Sequence, residues 1–135
     1  MTIGDNCFIL EDNTIQLFTT IGNNVVMWSG NHIGHHSVIK DHVFFASHLV
    51  LSGHCIVEPF SFLGVNSTIR DGIHIAEGSL IAMSASIVKD TGLGASTKAV
   101  LQPKAEYQAR IWISDEVDEE LAGVAARGFT RWSRE

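Results

Sequence analysis

Between Asn31 and His54 the chain reads NHIGHHSVIKDHVFFASHLVLSGH, a stretch holding six of its seven histidines. Two rhythms of six residues run through it. Ile33, Ile39, Phe45 and Leu51 are large and apolar, and His36, His42, His48 and His54 each follow three residues later. Working outward, the apolar rhythm begins at Ile3 and passes through Ile9, Ile15, Ile21 and Met27. Beyond the quoted stretch it continues through Val57, Leu63, Ile69, Ile75, Ile81, Ile87 and Leu93, sixteen positions in all. In a chain that is 45% apolar, chance would fill one such phase roughly three times in a million. The period is real.

The remaining phases are ordered too. Two residues before each apolar anchor the side chains are mostly small, among them Cys7, Asn13, Thr19, Ser37, Cys55, Ser61, Ser67, Ser79 and Ala85. Residues two apart in a strand share a face, so each repeat sends one large and one small side chain inward. Three residues after the anchors come Asn6, Asp12, Asn24, Gly30, Asn66, Gly72, Gly78 and Asp90, types that tolerate positive φ. A short strand and a tight turn every six residues is the signature of a hexapeptide parallel β-helix.

At 135 residues the chain has room for one modest core. No apolar run approaches the ~18 residues of a membrane span, and MTIGDN lacks the basic and apolar segments of a secretion signal. The net charge is −6 and the nine basic residues do not cluster, which argues against nucleic acid as the partner. Two cysteines 48 residues apart make no disulfide framework. A reduced, cytoplasmic protein is the expectation.

With this period, over residues 2–100, the chain resembles the hexapeptide-repeat acyltransferases. Its stretches NHIGHHSVIKDHVF, SGH and FLGVNSTIRDG are similar to the branch that acetylates sugars, especially amino-sugars attached to nucleotides. The resemblance implies a left-handed parallel β-helix with three strands, hence eighteen residues, per coil. The expected fold is therefore all-β: about five coils over residues 1–100, with a C-terminal tail over 101–135 carrying a short helix. Ser114 or Asp115 would cap that helix, and Val117, Leu121 and Val124 would share one side to about Arg127.

Eighteen residues per coil also stacks Phe8, Val26, Phe44, Phe62 and Leu80 on one outer face. An exposed apolar stripe usually marks an interface. The resemblance implies a homotrimer with active sites between subunits, and this face is where that contact is expected.

The same arithmetic sorts the histidines. His36, His42, His48 and His54 occupy the positive-φ turn phase and read as turn residues; His32 and His74 fall on outward strand positions. His35 lies one step earlier in its turn, in a column reading Leu17, His35, Gly53, Asp71, Lys89. That column suits acyl transfer from acetyl-CoA. The reaction needs a base for the acceptor's proton, and imidazole titrates near neutrality. It also needs a donor for the thioester oxyanion, often a backbone N–H. The resemblance implies His35 as catalytic base and Gly53 as the cofactor-binding glycine one coil along. Asp71 and Lys89 continue the cofactor column, Lys89 toward its phosphates, and Asn31 and His32 flank the cleft as contacts to the sugar. The second active-site histidine of the family falls at Phe44, so that contact is absent here. Cys7 and Cys55 lie in the inward phase and read as inert thiols. Direct attack of the acceptor on acetyl-CoA is therefore the expected mechanism, without an acyl-cysteine.

Two other functions fit the pattern less well. The zinc-dependent γ-type carbonic anhydrases share this fold and use three histidines across a trimer interface. His36 and His54 would stack about 5 Å apart in adjacent coils and offer two ligands. That family's spacing, two coils and then five residues, is not reproduced, so no metal ligand is assigned. The chain also enters its repeat at Ile3 with no N-terminal cap and without the α/β domain of full-length sugar-nucleotide acetyltransferases. On that ground the alternative is a trimeric scaffold that has lost its chemistry, since fold and function are separable.

Overall fold

A computed structural model describes residues 1–97. The helix expected in the tail lies outside them. Within them, every repeat from Ile3 to Ile87 forms a strand two residues long. One sheet stacks β1 (Thr2–Ile3), β4 (Thr20–Ile21), β7 (Val38–Ile39), β10 (Ile56–Val57) and β13 (His74–Ile75). A second stacks β2 (Phe8–Ile9), β5 (Val26–Met27), β8 (Phe44–Phe45), β11 (Phe62–Leu63), β14 (Leu80–Ile81) and β16 (Ser96–Thr97). The third stacks β3 (Thr14–Ile15), β6 (His32–Ile33), β9 (Val50–Leu51), β12 (Thr68–Ile69) and β15 (Ser86–Ile87). All pairs are parallel, and up to β15 each residue pairs with the one eighteen further on, as Ile33 does with Leu51. The result is a β-helix of about five coils, as the period predicts, and it matches the left-handed solenoid that the resemblance implies.

The inward phases make the core. Ile33, Ile39, Phe45, Leu51, Val57, Leu63, Ile69, Ile75 and Ile81 are all completely buried, in three columns, one per sheet. The small inward residues fill the space beside them, with Ser37, Cys55, Ser61, Ser67, Ser79 and Ala85 buried as expected. Their hydroxyls bond to nearby carbonyls: Ser37 Oγ donates to Ser52 O at 3.1 Å and Ser61 Oγ to Ala76 O at 3.1 Å. In the first coil Ile3 stays 45% exposed and Ile9 and Ile15 are only partly buried, because that coil has a neighbour on one side only.

Closing a triangular coil requires a left-handed backbone at each corner. Positive φ accordingly recurs every six residues from Asn6 to Ser84 without a gap, and His36, His42, His48 and His54 hold φ of 57° to 59°. The turn reading of these four histidines is borne out. Phe18 and Phe60 occupy the same conformation, at 62° and 58°, which is unusual for a bulky side chain. Their rings pack on corner histidines of the next or preceding coil, Phe18 tilted by 31° against His36 at 4.8 Å and Phe60 stacked on His42 at 4.9 Å.

The rhythm breaks after Ile87. Leu80 pairs with Ser96, sixteen residues on instead of eighteen, and Leu93 is 82% exposed. The expectation that Leu93 is a core anchor is thus corrected. Side chains replace the missing strand: Asp90 Oδ1 accepts from His74 N at 2.8 Å and Thr91 Oγ1 from Ala76 N at 2.8 Å. Among the described residues no helix is long and apolar enough to cross a membrane.

Candidate active site

The corner between the third and first sheets carries the column read from the sequence. Its backbone is stitched coil to coil: His36 N donates to Leu17 O at 3.2 Å, His54 N to His35 O at 2.8 Å and Gly72 N to Gly53 O at 2.9 Å. Leu17, His35, Gly53 and Asp71 therefore stand above one another. Lys89 is exposed beside the shortened final coil, and among the described residues no corresponding backbone rung joins it to Asp71.

His35 is exposed and Gly53 half-buried. The two are in intimate contact. A Cβ placed on Gly53 would lie 2.9 Å from His35 Cε1 and 3.0 Å from His35 Nε2, so the imidazole rests against the bare backbone of the next coil. Gly34 is required in turn, since a Cβ there would approach Gly53 N. The Gly53 N–H donates to no acceptor among the described residues. An imidazole thus lies beside a backbone N–H that has no acceptor among the described residues, and two such groups could remove a proton and stabilise an oxyanion.

Gln16 is a neighbour of His35 that the column reading missed. Its Oε1 accepts from His35 N at 2.9 Å, and Ile15, Gln16, Leu17 and His35 line a shallow open depression. Its offset from His35 is nineteen residues, one coil plus one. A search confined to the eighteen-residue column passes over it.

Further up the corner His54 joins the group. His36 and His54 stack at 4.9 Å with 12° between their planes, and His35 stands edge-on to both, at 5.2 and 5.0 Å. His35 Nδ1 and His36 Nδ1 lie 3.0 Å apart. The ring stack expected of His36 and His54 is present, and His35 adds a third imidazole.

The remaining expected site residues are placed differently. Asn31 is buried, with 1% exposure. Its Nδ2 donates to Trp28 O at 2.6 Å and its Oδ1 accepts from Leu49 N at 2.9 Å, so its carboxamide is committed to the coil interior. That is a correction to its expected place beside the cleft, and the signal was available: Asn31 stands two residues before the anchor Ile33, in the inward phase. His32 is half-buried on the outer face of the third sheet, paired with Thr14 and Val50. Asp71 is exposed at the corner.

The cysteines behave as inert side chains. Cys55 is completely buried and burial pushes its thiol pKa up, while Sγ donates weakly to Arg70 O at 3.2 Å. Cys7 is partly buried and its thiol reaches Gly22 O at 3.1 Å. Cys55 is thus held as the neutral thiol, away from solvent.

No family model matches the chain. It is similar to acyl-[acyl-carrier-protein]–UDP-N-acetylglucosamine O-acyltransferases. The one from Pseudomonas savastanoi pv. phaseolicola is 32% identical over 97 residues, covering 67% of this chain and 38% of the relative. The one from Stutzerimonas stutzeri is 32% identical with the same coverage. The chain thus spans 38% of the length of these curated relatives. Among solved structures, the acetyltransferase domain of PglB from Neisseria gonorrhoeae superposes with a TM-score of 0.56 at 16% identity, over 70% of this chain and 50% of that one. That likeness is one of fold. The resemblance read from the hexapeptide period is borne out in both coil and sequence.

Proposed function

We propose that this chain, similar in coil and sequence to hexapeptide-repeat acyltransferases, transfers an acyl group from a phosphopantetheine thioester to a sugar. Acetyl-CoA is the proposed donor, and a hydroxyl or amino group of a nucleotide-linked sugar is the proposed acceptor. One observation carries the reading: the exposed His35 imidazole rests within 3.0 Å of the Cβ position that Gly53 leaves empty, beside an uncommitted N–H.

In the proposed reaction the acceptor oxygen or nitrogen attacks the thioester carbonyl while His35 takes its proton. The oxyanion is held by the Gly53 N–H. Collapse of the tetrahedral intermediate breaks the carbon–sulfur bond, and His35 returns the proton to the departing thiolate. Asp71 and Lys89 lie further along the donor's path, Lys89 as a phosphate contact, and His32 is the proposed acceptor contact. The assembly is a homotrimer through the outer face of the second sheet. There Phe8, Phe62 and Leu80 are 60%, 41% and 48% exposed, and Phe44 stacks on Phe62 at 5.2 Å.

The test is thiol release from acetyl-CoA with UDP-N-acetylglucosamine and related nucleotide-sugars as acceptors. Wild-type chain should turn over, and His35→Gln should lose a factor of about 10²–10⁴, the usual worth of a general base. Transfer by His35→Gln within threefold of wild type would sink the assignment of the base. No transfer by wild type with any acceptor or acyl donor would favour the scaffold reading.

A further inference from the structure

We propose that His35, His36 and His54 form a binding site for a divalent transition-metal ion, of the class of Zn²⁺ and Co²⁺, contributed by a single chain. One ring nitrogen from each of the three lies within 4.8 Å of the other two. Nitrogens bound at 2.0–2.1 Å to a tetrahedral ion stand about 3.3 Å apart. The Nδ1 atoms of His35 and His36, at 3.0 Å, are already near that spacing. His54 reaches it by turning a ring that is exposed, so no core side chain has to move.

The backbone favours this arrangement. His36 and His54 are held in the left-handed corner conformation, both at φ 57°, which starts their side chains from equivalent corner positions one coil apart. The rung from His54 N to His35 O, at 2.8 Å, holds the third ligand beside them. Above His54 the next corner residue is Gly72, and a Cβ there would meet nothing within 4 Å. A fourth ligand such as water therefore has room. Below, Phe18 closes the pile with its ring 4.8 Å from that of His36. Three neutral imidazoles with one open position suit zinc and its neighbours in the first transition row; magnesium and calcium prefer oxygen ligands.

The metal-free contact fits the same picture. At 3.0 Å the two Nδ1 atoms are within hydrogen-bonding distance of each other, and a metal ion held between them would take the place of that contact. If His35 is the base, as proposed above, a bound ion takes the lone pair that the base needs and the ion inhibits transfer.

The site is tested by titrating the full chain with Co²⁺ alone, following the visible absorption of four-coordinate cobalt and its displacement by Zn²⁺. One ion per chain is expected at micromolar metal. His36→Asn and His54→Asn should each weaken binding at least about tenfold, because asparagine accepts positive φ while removing the imidazole. His42→Asn and His48→Asn, at equivalent corners (φ 59° and 57°), should leave it unchanged. Absence of cobalt binding, or binding untouched by His36→Asn and His54→Asn, would overturn the proposal. So would equal loss in the two control variants. Because no acyl donor is present, this readout is independent of whether His35 acts as a base. Cobalt binding by wild type together with normal transfer by His35→Gln would keep the metal site and reject only the base.

Discussion

Replacing Gly53 with alanine separates the chemistry of the corner from its stability. Gly53 does not need positive φ, so alanine is not excluded by its backbone. The added methyl would sit 2.9 Å from His35 Cε1, 3.0 Å from Nε2 and 3.2 Å from the His35 carbonyl oxygen. Ordinary carbon contacts begin at about 3.5 Å, so the imidazole must withdraw by roughly half an ångström or more. It can, because His35 is exposed and the crowded atoms are mainly at the end of a rotatable side chain. The energetic cost to folding is small and is partly offset by the stiffer unfolded chain, worth about 0.4–1 kcal/mol for a compatible Gly→Ala change. Catalysis is less tolerant, since a displacement near 1 Å can cost about a hundredfold. Gly53→Ala should therefore melt within a few degrees of wild type while losing about ten- to a hundredfold in thiol release from acetyl-CoA. A variant with unchanged stability and unchanged rate would refute the claim that the Gly53–His35 contact organises the reaction.

Three further predictions concern the coil. Leu51 is completely buried between Ile33 and Ile69 in its column, and Leu51→Ala should cost about 2–5 kcal/mol in urea unfolding. Ser67 Oγ is buried and has no hydrogen-bond partner among the described residues, so Ser67→Ala should be neutral or stabilise by up to about 1 kcal/mol. By contrast Ser61→Ala, which deletes a bond to Ala76 O, should destabilise by about the same amount. Hydrogen bonds from Lys40, and then from His74, hold the Glu58 carboxyl below the usual carboxylate range. Its contribution is therefore present above that range and is lost as the pH falls below about 5 and through the lowered value. Thermal unfolding of Glu58→Gln between pH 7 and pH 3 should show a smaller acid-induced drop than wild type.

Much of this fold was legible because a β-helix writes its geometry into one short period. Ile33, Ile39, Phe45 and Leu51 fill the core and His36, His42, His48 and His54 hold the corners, as their phases imply. Two features escaped a reading by phase. Leu93 is apolar and in step, yet the chain has already shortened its coil by two residues. Capping by the Asp90 and Thr91 side chains is invisible to a count of hydrophobic anchors. Phe18 and Phe60 show the converse: coil closure imposes positive φ on a residue whose own preference opposes it, and ring contacts with His36 and His42 accompany it. At the site, stacking by eighteen brought His35 and Gly53 together correctly, as their contact now shows. Gln16 lay one residue off that column, and the three-histidine group depends on ring orientation, which no spacing reveals. Asn31 follows its inward phase, two residues before Ile33, and its carboxamide is bonded to Trp28 O and Leu49 N instead of facing the cleft.

The most direct measurement is an amide chemical-shift titration of the isotope-labelled chain with acetyl-CoA. If the corner is the donor site, the largest shifts at saturation fall on Gly53 and His35, with smaller ones at Asp71 and Gln16. Shifts confined to the outer face of the second sheet, or none at millimolar acetyl-CoA, would contradict the account.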